Sequence, residues 1–216
     1  MTVRRKILSA SIMAVALAGC ASEGELVVGD GVGITAIRSA CPAVGIPDYT
    51  GDVTVFRQAG DKSAANVDFT AAMTNLRSNC SDSAENVYTE ASFDILVSRS
   101  DPRGARTVTV PYFSTVLQGG SAVQAKRIGS VTVQFADGQA RARAQGKAGA
   151  FVNRAAATLP ADIRERITRK RKAGDPDAAL DPLADPQVRA ALDRATFELL
   201  IGFQLTEDQL AYNATR

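Results

Sequence analysis

The chain of 216 residues contains no histidine and no tryptophan, and each absence removes chemistry. Without imidazole there is no Ser-His or Cys-His nucleophile pair, no His ligand for zinc, and no unperturbed side chain that exchanges a proton near neutral pH. Without tryptophan, and with aromatics at 6%, the stacking surfaces that sugar sites usually use are scarce. There are three cysteines and none forms a C-x-x-C pair, so a thioredoxin-type redox motif is excluded. The S-x-x-K nucleophile of the penicillin-recognising enzymes is missing too. Apolar content is ordinary: hydrophobic residues at 45% and charged residues at 22% suffice for a packed core and are too apolar for a disordered chain.

The first twenty residues have a distinct character. Arg4, Arg5 and Lys6 form a basic start, and Ile7 to Ala18 then run without a charge. At 1.5 Å rise such a run covers about 18 Å, short of the roughly 30 Å hydrocarbon slab, which fits an export signal and not a membrane span. Leu17-Ala18-Gly19-Cys20 resembles the lipobox of bacterial lipoproteins. The resemblance implies cleavage before Cys20, acylation of that residue, and stable anchoring by several chains at roughly 0.8 kcal/mol per buried CH₂. Ala21 stands where inner-membrane retention would use Asp, so the resemblance further implies the periplasmic face of the outer membrane. Arg4-Arg5 before Ile7-Leu8 also reads as a twin-arginine signal, although nothing calls for a cofactor loaded before export.

Loss of residues 1–19 leaves 22 of the 25 basic residues against all 23 acidic ones, a formal net charge of −1. A nucleic-acid partner is then unexpected, because phosphate-backbone binding needs a surplus of Lys and Arg. With Cys20 acylated, Cys41 and Cys80 are an even pair in an oxidising space and are expected to form a disulfide. The polar stretch Ala21 to Glu25 reaches less than about 20 Å, which places the folded part near the membrane.

From about Val32 to Val152 apolar residues recur at every second position, as in Val67/Phe69/Ala71, Phe93/Ile95/Val97 and Val131/Val133/Phe135, with Gly, Pro, Asn, Asp and Ser between the runs. That is the strand period, and six to eight such strands predict an antiparallel β-sandwich or small barrel. Asp137-Gly138 predicts a two-residue type I′ hairpin between Val131–Phe135 and Ala140–Ala144, with Ala140, Ala142 and Ala144 facing in and leaving room for a bulky neighbour such as a packed helix. Past Thr158 the period turns helical. Leu159, Ile163 and Ile167 form a narrow seam, and Asp185-Pro186 starts a helix whose apolar face runs through Val188, Ala191, Leu192, Ala195, Leu199, Leu200 and Phe203. Thr206 and Gln209 form a capping box for a last short helix.

Three groups of residues invite chemistry. Gly31-Val32-Gly33-Ile34-Thr35-Ala36 fits G-x-G-x-x-A, with Asp52 downstream. The dinucleotide fingerprint needs a helix opening at those glycines, whereas Cys41-Pro42 and a β pattern follow, so a glycine-rich turn is the reading. Asp175, Asp177, Asp181 and Asp185 suggest calcium, but the register from Asp175 lacks the Gly and Glu of an EF-hand, and turn chemistry explains Asp before Pro. Arg164, Arg166, Arg169, Lys170, Arg171 and Lys172 crowd one stretch with only Glu165 against them. On a continuing helix they would form a solvated face balanced by the acidic loop, a contact for a protein partner, or a site for anionic headgroups, phosphorylated glycolipid or wall polymer.

The expected organisation is a signal peptide over 1–19, a lipidated Cys20 and tether over 20–30, a β-sandwich over 31–157, and a C-terminal extension of two to three helices over 158–216 packed on it. No catalytic residue, metal or cofactor is expected. The expected function is a non-catalytic binding or assembly accessory of the envelope, with partners among the membrane itself, envelope proteins or anionic envelope polymers. The alternative is a small envelope hydrolase, which would require an apolar pocket holding two carboxylates about 5 to 9.5 Å apart.

Overall fold

The computed structural model describes residues 36, 38–83 and 85–215. The expected signal peptide, the expected lipidation site Cys20 with the stretch after it, and residues 31–35 of the glycine-rich run lie outside the described residues. The described residues divide into two units, a larger one over 36–169 and 180–215 and a smaller one over Lys170–Ala179.

The larger unit is an antiparallel β-sandwich whose helices lie in the C-terminal part of the chain. Its strands are β1 (Ala43–Gly45), β2 (Asp52–Phe56), β3 (Val67–Ser83), β4 (Asn86–Arg99), β5 (Arg106–Gln118), β6 (Ala122–Phe135), β7 (Arg141–Asn153) and β8 (Phe197–Phe203). The helices are α1 (Arg154–Ala157), α2 (Ala161–Thr168), α3 (Pro186–Ala195) and α4 (Glu207–Thr215). One sheet has the order β1-β8-β5-β6 and the other β2-β3-β4-β7. All pairings are antiparallel except that of β1, which is three residues long and runs parallel to β8. The period-two residues of the two sheets meet between them: Ala91, Phe93, Ile95 and Val97 of β4 and Val131 and Val133 of β6 are at most 6% exposed. Among the described residues no helix is long and apolar enough to cross a membrane.

Three local expectations are corrected. The first concerns Asp137-Gly138. Gly138 does adopt positive φ (77°), but Asp137 does not, and the flanking strands β6 and β7 belong to different sheets. The segment is therefore an arch crossing the sandwich and not a hairpin, and it is held from outside. Gly138 N donates to Pro102 O at 2.8 Å, and Gly104 N donates to the Asp137 carboxylate at 2.5 Å.

Second, the small inward residues of β7 accommodate an aromatic ring and not a helix. Ala142, Ala144 and Ala148 pack on the core, whereas Ala140 is exposed. Gly146 pairs with Phe93 of β4, and a Cβ there would strike the Phe93 ring. That ring sits edge-on to Tyr112 of the opposite sheet at 5.1 Å between centroids.

Third, the helix begun by Asp185 ends at Ala195. Thr196 turns extended (φ −93°, ψ 125°), and Phe197 to Phe203 form strand β8 between β1 and β5. Within this run Phe197, Leu199, Ile201 and Phe203 share the buried face, each at most 8% exposed. A short apolar run satisfies helix and strand periods equally well; here the open slot beside β5 supplies backbone partners for a strand. The segment 158–216 thus returns a strand to the sandwich and is not wholly a helical extension.

The remaining terminal features match their signals. Asp185 accepts from Gln187 N and Val188 N as the N-cap of α3. Thr206 and Gln209 exchange both capping-box bonds, at 2.9 and 3.2 Å. Ile163 and Ile167 of α2 pack with Val188 and Ala191 of α3 in a second small core. Cys41 and Cys80 are disulfide-bonded, with Cα atoms 6.1 Å apart. The bond ties the segment leading into β1 to β3 of the other sheet.

Candidate anion-binding cleft

Next to that disulfide lies a cleft of about 300 Å³. Its lining comes from segments far apart in sequence: Ala36 and residues 38–40, the end of β3 at Asp82, the β7–α1 junction, α2, and the end of α3 at Ala195. Ala157, Leu159 and Ile167 give it an apolar wall, and Arg38, Arg154 and Arg164 supply its charge.

Each arginine is placed by local structure. Arg154 follows Asn153, which accepts from Ala155 N and Ala156 N as the N-cap of α1. Its own backbone N donates to Glu85 O at 2.9 Å, and its guanidinium meets the Asp82 carboxylate at 2.5 Å. The Arg154 Nε–H is buried without an acceptor among the described residues, so the group retains donor capacity. Arg38 lies on a segment fixed at both ends: Ala36 N donates to Ile167 O of α2 at 2.9 Å, and the disulfide follows at Cys41. The Arg38 guanidinium donates to the Thr196 hydroxyl at 2.7 Å, beside the C-terminal end of α3, where a cation is favoured. Arg164 lies in the first turn of α2, where its backbone N donates to Pro160 O at 2.9 Å; its guanidinium makes no hydrogen bond or ion pair with any described residue. A guanidinium stays charged throughout the accessible pH range, so the lining residues carry three positive charges and the single carboxylate of Asp82.

No family model, curated protein or solved structure matches the chain. The site is therefore read from its own geometry.

Of the six cations in the basic stretch, only Arg164 lines this cleft. Helix α2 ends at Thr168, so Arg169, Lys170, Arg171 and Lys172 do not continue its polar face. This corrects the expectation of one helical basic surface. Arg166 is paired with Asp185 at 2.5 Å. In the smaller unit Arg171 is 3% exposed and its Nε donates to Asp177 at 3.2 Å, so it is not an exposed cation; Lys170 and Lys172 are exposed. The end of the helix has a local cause. Arg169 adopts extended backbone (φ −60°, ψ 123°), and Lys172 N donates to the Asp175 side chain at 3.0 Å in a turn that a helix cannot contain.

The acidic residues of the following loop are likewise committed to backbone and ion-pair roles. Asp181 accepts from Leu183 N at the start of a 3-10 turn. Asp185 combines its N-cap with the Arg166 pair, and its carboxyl lies below the ordinary range, chiefly because it accepts from Gln187 N, with Val188 N and Arg166 adding to the effect. A lowered folded pKa means that this stabilisation is complete above the unfolded value and disappears as pH falls through the lowered one. Melting curves should therefore show Asp185→Ala well below wild type near pH 7, with the gap closing as pH drops below about 4. A gap of constant size across that range would show that the carboxylate charge contributes nothing. Among the described residues no group of three or more acidic or cysteine side chains could hold a metal ion.

Arg38, Asp82 and Arg154 were not singled out by any motif in the sequence. One signal did bear on two of them: a Cys41–Cys80 bond places Arg38, three residues before one cysteine, near Asp82, two residues after the other. Nothing in local spacing brings Arg154 or Arg164 to the same place. Among the described residues the lining of this cleft holds one carboxylate, and that one is ion-paired.

Proposed function

We propose that the protein is a lipid-anchored accessory of the bacterial envelope, held at the periplasmic face of the outer membrane through Cys20, which binds an anionic envelope component and performs no chemistry on it. The observation that supports this reading is the cleft itself: three arginines, one carboxylate, and a wall of small and apolar side chains. A lipid anchor would hold such a cleft close to headgroups and wall polymers. Each nearby Lys or Arg adds about 1 kcal/mol of attraction to an anionic surface, an attraction that salt weakens over a screening length of about 8 Å.

Two measurements test the reading together. The membrane form should have the mass of a chain beginning at an acylated Cys20, and Cys20→Ser should release the protein from the membrane fraction. The released form should cosediment with anionic outer-membrane lipid vesicles or cell-wall sacculi in a salt-sensitive manner, with binding reduced about tenfold or more in the double substitution Arg38→Gln/Arg164→Gln. Membrane attachment that survives Cys20→Ser would reject the anchor. Cosedimentation unchanged by salt and by the double substitution would reject the cleft.

A further inference from the structure

The charge balance of the cleft narrows the class of anion. Asp82 is engaged by Arg154, Arg38 gives one N–H to a neutral hydroxyl, and Arg164 is unpaired among the described residues. Two positive charges in the lining are thus offset by no carboxylate of that lining. A carboxylate or a phosphate diester brings one negative charge, whereas a phosphate monoester carries about −1.5 to −2 at pH 7 with three strong acceptor oxygens. All three cations are arginines, whose planar fork takes two oxygens of a phosphate at once, which an ammonium does not do. The groups are also preorganised. Arg38 is fixed between a backbone bond to α2 and the disulfide, and Arg154 by its backbone bond to Glu85 and by Asp82. At about 300 Å³ the cleft lies at the small end of ligand sites and suits a phosphoryl group with little more than one adjoining ring.

We infer that the cleft is a phosphate-monoester site, in which Arg38 and Arg164 take the terminal oxygens and Arg154, held by Asp82, provides the third guanidinium. This assignment rests on the reading of the protein as an envelope anion binder and specifies its ligand. The phosphoryl group could belong to a lipid headgroup or to a soluble sugar phosphate. Arg38 lies eighteen residues beyond Cys20, at most roughly 65 Å of extended chain, so both sources are within reach.

The test titrates the full acylated protein in neutral detergent micelles by calorimetry. The soluble probes are glucose 1-phosphate, dimethyl phosphate and acetate; the lipid probes are micelles doped with phosphatidic acid, a monoester, or phosphatidylglycerol, a diester. Each monoester that binds should do so at least tenfold more tightly than the matching diester. Arg38→Gln and Arg164→Gln should each weaken that binding tenfold or more at unchanged melting temperature. Asp82→Asn, which removes the only carboxylate of the lining, should tighten it several-fold, an effect that a purely structural role for these residues would not produce. Binding of phosphatidic acid without glucose 1-phosphate assigns the lipid headgroup, and binding of both assigns the phosphoryl group alone. Equal affinity for monoester and diester would overturn the monoester assignment while leaving an anion site. No binding of any of the five probes would overturn both the assignment and the anion-binding reading beneath it.

Discussion

Replacing Cys41 and Cys80 together by serine is expected to lower the unfolding free energy by about 4 kcal/mol, the chain-entropy value for a closed loop of this size, the two cysteines being 39 residues apart. For a domain of this length that corresponds to a drop in melting temperature on the order of 10 °C. The bond joins the segment entering β1 to β3 and therefore spans the two sheets near the tip of the β3–β4 hairpin, where Cys80 pairs with Thr89. It also anchors the segment that carries Arg38, so the cleft should be affected along with stability. Denaturant titration of the oxidised protein, the reduced protein and the double-serine variant provides the measurement. Agreement between the last two, both well below the first, is the expected result; three coincident curves would show that the crosslink contributes nothing to the fold.

At the other end of β4, Arg99→Met is expected to cost about 3 kcal/mol. Arg99 is 4% exposed, and its guanidinium donates to three carbonyls, those of Gln139, Pro102 and Ala136, at 2.8, 2.5 and 3.0 Å. It also lies over the Phe135 ring at 4.9 Å. Two arches cross between the sheets at this end, residues 100–105 from β4 to β5 and residues 136–140 from β6 to β7, and Arg99 binds carbonyls of both. Methionine retains the aliphatic stem and removes every donor. Carbonyls left unpaired cost about 1–3 kcal/mol each where water cannot reach them, and partial hydration of the arches brings the sum to the stated figure. Equilibrium unfolding in urea checks it. A loss below about 0.5 kcal/mol, the range of ordinary surface substitutions, would mean that water replaces the guanidinium at no cost.

These two sites lie about ten residues apart along β4, roughly 33 Å at strand rise, and pin the sandwich at opposite ends. Their legibility in the sequence differs. The disulfide followed from counting cysteines once Cys20 is assigned to the anchor. Arg99 gave no signal, because a buried arginine is marked by the carbonyls that surround it, and those come from two loops that only the folded chain brings together.

The sequence by itself determined the class of the fold. Alternation of apolar residues marks strands because successive side chains of an extended chain point to opposite faces, and that property is local. Helix starts were equally legible at Asp185 and Thr206, since a cap is a bond between residues two or three positions apart. Tertiary structure alone decided what those periods could not. Phe197 to Phe203 became a strand because a place beside β5 was open, and Asp137-Gly138 became an arch because its two strands entered different sheets. The basic stretch was visible as composition, but its charges were divided by ion pairs with Asp185 and Asp177 that depend on where the following loop runs. The cleft is the clearest case: Arg38, Asp82, Arg154 and Arg164 share no sequence period. They meet because the disulfide, the end of β7 and the first turn of α2 converge on one point, and electrostatic attraction, unlike helix or strand periodicity, acts between any charges that the chain brings close.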